Sequence, residues 1–407
     1  MGLGYIGIYL CRKNLSVATP MLIEAGLAPD KATAGLIASW ANVAYMTGKL
    51  ASGPIVDRWG GRSGYLGSLC GVALFGALGA FVPGFWALAV VYSLNRLTGA
   101  AGWTAMMKLT STWFPPRQLG TAIAGLSLSY ILGGIAATYL AGWVVTWSHD
   151  WRMVMGFPSV LLLGLILVAF AFVRQGPLNE RPADEADAPG PATAGLAPLP
   201  SQSFAARVSR LLRRPQYVTI LVLSFTLTLL RDGLGQWNVD FLKSIQPGTA
   251  DLAAAAFGSV WFDIAGFIPI VLMGILWDRL RPEARRWVIT GILALLTLTL
   301  AALTTVSKAN PALALPLLFS TGLLLYAPYS VLAGVVSVES GGTEMAGTAT
   351  GLADAVGYAA AILAGWAFGK VLDTGGYPLA FQILAGLTLI STAAAAIGLR
   401  SRPLVEA

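Results

Sequence analysis

Gly53-Pro54-Ile55-Val56-Asp57-Arg58-Trp59-Gly60-Gly61-Arg62 stands between two long apolar runs. A shortened echo, Gly274-Ile275-Leu276-Trp277-Asp278-Arg279-Leu280-Arg281, stands between two others in the second half of the chain. Each copy follows the second apolar run of its half, so the chain reads as one unit repeated. Outward from these loops the pattern is continuous. Of 407 residues 56% are hydrophobic and 11% are charged, against about 25% charge in an average soluble domain. A helix needs about 20 apolar residues to cross a bilayer. Twelve runs qualify: 2–24, 33–56, 64–83, 86–113, 117–146, 152–174, 216–242, 253–277, 285–307, 311–337, 345–371 and 378–399. The fold class is therefore an all-α membrane protein of twelve spans in two six-helix halves. The first run begins at residue 2 and continues too far for the apolar core of a signal peptide, and the true start is expected to lie upstream.

The net charge of +7 invites a nucleic-acid reading, but its distribution describes orientation instead. Fifteen of the 26 Lys and Arg fall on one side of the twelve-span scheme, among them Arg58, Arg62, Arg117, Arg174, Arg279 and Arg400. Five fall on the other side, and six lie within spans. The positive-inside rule then places both termini in the cytoplasm of a multi-pass protein of the inner (plasma) membrane. Its partners are the bilayer and a small solute, with no nucleic acid, and it is expected to work as a monomer. Cys11 and Cys70 both fall in spans and His149 in an external loop. No disulfide framework, metal site or cofactor is expected, and no histidine catalysis or histidine proton relay is expected either.

Residues 175–206 are rich in Pro, Ala and Gly and lack apolar periodicity, as solvated linkers do. The basic stretch Arg207–Arg214 suits a surface helix against anionic lipid. The chain thus divides into an N-terminal half (1–174), a cytoplasmic linker with its basic helix (175–214) and a C-terminal half (215–407).

The two loops resemble the G-x-x-x-D-R-x-G-R motif of the major facilitator superfamily, degraded in its second copy. The resemblance implies a gating role for Gly53, Asp57, Arg58, Arg62, Asp278 and Arg279. Asp57 and Arg58 can pair with neighbouring helix ends and lock one conformation.

Arg12-Lys13-Asn14 interrupts the first apolar run, and Arg231 interrupts the seventh. A cation at membrane depth costs roughly 2.5–3.5 kcal/mol even on lenient scales, so such charges face a cavity or meet a counter-ion. Guanidinium is planar, always charged, and meets phosphate oxygens through two parallel hydrogen bonds. Two such groups facing each other suit a dianion; the competing role for Arg12 is to partner a buried acid.

Gly4-Tyr5-x-x-x-Tyr9-Leu-x-Arg12-Lys13-Asn14-x-Ser16-x-Ala18-x-Pro20 resembles the first helix of the organophosphate:phosphate antiporter family. Further stretches agree: Lys49 ahead of the Gly53 loop, Gly102-Trp103 with Lys108, Leu229-Leu230-Arg231 with Trp237, Asp263-x-Ala265-Gly266, Tyr326-Ala-Pro328, and Ala346-Gly347-Thr348-Ala349-x-Gly351. The resemblance implies a phosphoryl site between helices one and seven, clamped by Arg12 and Arg231. It places Tyr5, Tyr9, Trp103 and Tyr358 at the pocket, although aromatic residues in membrane helices also serve packing and interfacial belts. Lys49 and Asp263 are expected in charge pairs, either tuning the empty site or simply joining helices. Lys13, about 100° round the helix from Arg12, is expected at the pocket rim. Arg96 has no counterpart in the family; it either snorkels to an interface or pairs with Asp354.

Four departures bear on the substrate. Tyr130 stands ahead of Gly133-Gly134 where the glycerol-phosphate branch carries a histidine, and Thr228 replaces a tyrosine. Asp232 adds a carboxylate beside Arg231, and Thr104-Ala105 replaces a Pro-Pro pair. Because adjacent helical positions diverge, Asp232 is expected to face away from the site.

The expected function is exchange of an organic phosphate for inorganic phosphate by alternating access, without covalent chemistry, so the protein is not an enzyme. Two alternatives remain: a carrier of another organic anion such as a carboxylate, with proton coupling through Asp232, Asp263 or Asp354, and a sugar-phosphate sensor of the same fold that does not transport.

Overall fold

A computed structural model describes residues 1–114, 116–176, 209–246, 251–332 and 352–399. Most of the linker at 175–214 lies outside them. So do the side chains of Asp57 and Asp278 and whatever part those groups play in gating.

Among the described residues the regular structure is helical, and it occupies the expected runs. The first half contains α1 (Gly2–Glu24), α2 (Lys31–Trp59), α3 (Gly61–Leu78), α4 (Phe85–Trp113), α5 (Pro116–Ser148) and α6 (Trp151–Phe172). The second contains α7 (Pro215–Ile245), α8 (Leu252–Arg279), α9 (Pro282–Leu303), α10 (Ala314–Val331), α11 (Leu352–Leu363) and α12 (Trp366–Gly398). The α12 run is broken at Gly376, whose φ of 66° places it in the left-handed region that favours glycine. Residues before Gly376 continue the eleventh span, and those after it form the twelfth.

Local chemistry sets the ends. Asp30, Asp150 and Asp251 cap α2, α6 and α8 by accepting hydrogen bonds from the backbone N–H groups of Thr33, Arg152 and Ala253. Pro215 and Pro282 open α7 and α9, where a missing N–H is harmless. Gly60 joins α2 to α3 at φ 86°, and a Cβ there would meet the Gln175 amide at 2.5 Å.

Among the described residues hydropathy alone identifies seven helices long and apolar enough to cross a membrane, and α1–α4 are not among them. The reason is that charged residues, among them Arg12, Lys13, Lys49 and Arg96, lower the hydropathy of α1, α2 and α4, while α3 is short and rich in Gly and Ser. The outward faces remain apolar: Leu132, Leu163, Phe170, Leu298 and Ile390 are all about half exposed or more, as lipid-facing residues should be.

The halves meet through α1 against α7, α5 against α8, and α2 against the α11–α12 segment. The last contact is made of backbone. A Cβ on Gly35 would lie 2.4 Å from the Gly365 carbonyl, and one on Gly365 would lie 2.3 Å from the Gly35 carbonyl. Small residues allow this approach, as is usual for helices packed in membranes. Ser39 Oγ donates to the Ile362 carbonyl (2.6 Å) and accepts from the Trp366 N–H (2.8 Å).

Polar contacts between the halves gather at the end opposite the basic loops. Lys31 Nζ reaches Asp240 at 2.5 Å, and Tyr377 donates to the same carboxylate oxygen. Asp373 accepts from the backbone N–H groups of Lys31 (3.0 Å) and Ala32 (2.7 Å), so a carboxylate of one half caps a helix of the other. Lys243 pairs with Glu24. These contacts close the bundle at that end.

Candidate anion site in the central cavity

Three consecutive residues of α1 reach three different partners, because each step turns the helix by about 100°. Arg12 turns toward α2, its guanidinium carbon 4.7 Å from the Tyr45 ring centroid and 5.0 Å from that of Tyr9. Lys13 turns toward α8 and donates to both oxygens of Asp263 at 2.8 Å. Asn14 is buried and donates to the Val154 and Met155 carbonyls of α6. The triplet therefore divides its work: Arg12 serves the cavity, Lys13 bridges the halves and Asn14 anchors the helix.

The cavity that Arg12 and Lys13 border has a volume of about 480 Å³, in the range of small-molecule sites. Helices α1, α2, α4 and α5 line it from one half and α7, α8, α10 and α11 from the other. Of the expected site residues, Arg12, Lys13, Tyr9, Trp103, Tyr130, Arg231, Asp232, Asp263 and Tyr358 border this space. Tyr5 does not; it is buried behind the wall against Tyr9 and Trp103, with ring centroids 5.6 and 5.4 Å away. Lys49 does not either. Its Nζ lies 5.8 Å from the Tyr45 ring, and among the described residues it makes no ion pair. Asp263 takes Lys13 rather than Lys49 as its partner, since α1 and α8 face each other across the cavity. Lys13 accordingly spans the two halves rather than sitting at a rim.

Asp232 does not face away. Arg231 Nε and Nη2 both lie 2.9 Å from its Oδ1. The backbone positions diverge as expected, but the long arginine side chain folds back to its neighbour. Arg231 also donates to the Tyr329 hydroxyl and lies over that ring at 4.6 Å.

Of the residues expected in the gate, the side chains of Arg58, Arg62 and Arg279 are described. Arg62 holds a helix end: its Nε donates to the Val173 carbonyl (2.7 Å) and its Nη2 to the Phe170 carbonyl (3.1 Å). It thereby ties α3 to the C-terminus of α6 within one half. Arg58 and Arg279 are exposed.

Arg96, unassigned from sequence, is buried at 7% exposure and borders the cavity. It neither snorkels nor pairs with Asp354; its Nη2 donates to Asn42 Oδ1 at 3.1 Å, and its guanidinium carbon lies 4.7 Å from the Tyr45 centroid. Sequence reasoning also missed Tyr45 and Tyr329. For Tyr45 a signal existed, because Asn42, Tyr45 and Lys49 follow at helical spacing on one face of α2. Among the described residues no cluster of His, Cys, Asp or Glu could hold a metal ion.

The chain's relatives agree with this architecture. Residues 1–365 match the family model described as Major Facilitator Superfamily. The membrane sensor protein UhpC of Salmonella typhimurium is 25% identical, covering 94% of this chain and 86% of its own. A probable hexose phosphate transport protein of Chlamydia pneumoniae is 27% identical over 93% of this chain and 85% of its own. These relatives bear out the resemblance to the organophosphate:phosphate antiporters. Among solved structures, that of the nucleoside transporter NupG superposes with a TM-score of 0.73 at 16% identity, covering 97% of each chain. The protein is an integral membrane protein built on the fold of solute carriers, and no enzyme.

Proposed function

Because the chain belongs to the Major Facilitator Superfamily, we propose that it carries an organic phosphate, a sugar phosphate or glycerol phosphate, by alternating access in exchange for inorganic phosphate. It does so as a monomer in the inner (plasma) membrane with both termini cytoplasmic. Residues 1–174 and 215–407 act as its two moving halves, joined by the linker at 175–214. The observation that carries this reading is the placement of Arg12 and Arg231, from opposite halves, on one central cavity. The hexose phosphate relative supplies the substrate class. With the bundle closed at the Lys31 end, the cavity serves the side of the basic loops, which is the cytoplasmic side in this orientation.

Lys13 with Asp263 makes an ion pair between the halves, at 22% and 9% side-chain exposure. A phosphoryl group arriving at Arg12 competes with Asp263 for the neighbouring cation, and this weakens the bridge when the site is filled. Burying an uncompensated charge costs several kcal/mol, so a carrier with bare arginines reorients slowly when empty. Here Asp232 already neutralises Arg231. The empty carrier therefore returns more readily, and exchange is accompanied by slow net transport.

A second reading, a sugar-phosphate sensor, is favoured by the relative named as a membrane sensor. Flux separates the two. Purified protein in liposomes loaded with phosphate should take up labelled glucose 6-phosphate or glycerol 3-phosphate; tight binding without uptake would establish the sensor instead.

A further inference from the structure

Arg12 and Arg96 each place a guanidinium carbon 4.7 Å from the centroid of the same ring, Tyr45. The two cations therefore lie within twice that distance of each other, and both border the cavity. Among the described residues neither has a carboxylate within ion-pair distance. Like charges brought together in a membrane interior repel, and an aromatic face compensates each only in part. Arginine carries five N–H donors. Arg12 turns donors to two tyrosine hydroxyls, in a long bond of 3.4 Å to Tyr9 and in a contact with Tyr45, and Arg96 uses one on Asn42. In Arg231, by contrast, Nε and Nη2 are committed to Asp232 and Nη1 to Tyr329. The cavity wall is asymmetric: among the described residues four cations line it against three carboxylates, and the unmatched positive charge sits in the N-terminal half.

We propose that Arg96 is a substrate-binding residue, and that Arg12 and Arg96, braced on Tyr45, form a two-arginine site for the doubly charged phosphoryl group. Arg231 then engages the substrate only after releasing Asp232. This inference rests on the reading of the cavity as an organophosphate site and specifies which groups select the charge state. Arg96 also has a mechanical connection: its partner Asn42 donates through Nδ2 to the Ala361 carbonyl of α11 at 2.7 Å. An anion that draws Arg96 off Asn42 thus loosens one contact between the halves.

The test uses the full-length protein in liposomes, with KM for labelled glycerol 3-phosphate measured between pH 5 and 8. The second ionisation of a phosphate ester lies near pH 6. A site selecting the dianion shows KM, in total substrate, rising about tenfold for each unit below that. Wild type should follow this slope. Arg96→Gln should raise KM at pH 7.5 at least tenfold and flatten the slope, because the N-terminal half then offers a single guanidinium, which accepts the monoanion. Arg96→Lys should raise KM severalfold and keep the slope, because the charge persists while the fork is lost. Unchanged KM in both variants overturns the proposal, as does a raised KM in Arg96→Gln with the wild-type slope intact. Should Arg96→Gln fail to insert, the Arg96→Lys arm decides, and unchanged KM there is refutation. Absence of organophosphate uptake by wild type would instead refute the functional reading itself.

Discussion

Replacing Lys31 with alanine should open the end of the bundle that the structure shows closed. Lys31 bonds Asp240 at 2.5 Å, with side chains 27% and 11% exposed, and its Nζ lies 4.8 Å from the Tyr377 ring. A hydrogen bond to a charged partner contributes about 1.5–3 kcal/mol and a cation–π contact about 0.5–1 kcal/mol. The partial exposure of Lys31 places the total near the lower end, about 2 kcal/mol. The loss falls on the closed state alone, because opening hydrates Asp240. At about 1.4 kcal/mol per decade, the closed-to-open ratio should fall roughly 30-fold. Spin labels at Pro83→Cys and Lys308→Cys, in a background lacking Cys11 and Cys70, report the separation of the two halves at this end by pulsed electron resonance. The long-distance population should grow in Lys31→Ala, and the swap of Lys31→Asp with Asp240→Lys should reverse part of the change. Lys243→Ala serves as the control. Its partner Glu24 is 63% exposed, and such pairs contribute little. A distance distribution unaltered by Lys31→Ala would refute the assignment of this cluster as the lock.

Further outcomes follow from the same geometry. Gly365→Leu should abolish transport in a protein that still inserts, because any Cβ there meets the Gly35 carbonyl at 2.3 Å; uptake above about a tenth of wild type would show that this close approach is dispensable. Arg12→Lys and Arg231→Lys should each lower uptake at least tenfold with normal expression, since a point charge cannot reproduce a bidentate fork. Asp232→Asn should suppress efflux of labelled phosphate into anion-free buffer while sparing efflux into phosphate; equal efflux in the two buffers would exclude Asp232 as the internal counter-ion. Deleting about ten residues within 178–200 should leave transport within twofold of wild type, measured as initial uptake, because that stretch lacks apolar content.

Span positions were legible because apolar length is a local property. The first run, expected at 2–24, is the helix Gly2–Glu24, and the fourth, expected at 86–113, is Phe85–Trp113. Arg12 and Arg231 were legible because a cation within an apolar run demands an explanation. Pairings between distant segments were not. Lys13 and Asp263 are separated by 250 positions, and nothing local to either residue names the other. Lys31, Asp240 and Asp373 stand near helix ends in the sequence, and only the packing of α2 against α12 and the reach of Lys31 to α7 make them a lock. The Arg231–Asp232 pair is hidden from the sequence because backbone angle does not fix side-chain direction, and a long arginine can fold back onto its neighbour. Arg96 was visible as a buried cation, but its role depends on Tyr45, a residue of another helix.

Counterflow tests the central claim most directly. Liposomes containing the protein are loaded with unlabelled inorganic phosphate, and uptake of labelled glucose 6-phosphate or glycerol 3-phosphate is followed from outside. The account predicts uptake that is fast with phosphate inside, much slower with chloride inside, and lost in Arg12→Lys. Uptake indifferent to internal phosphate, or driven instead by a proton gradient with a carboxylate as the preferred solute, would contradict it.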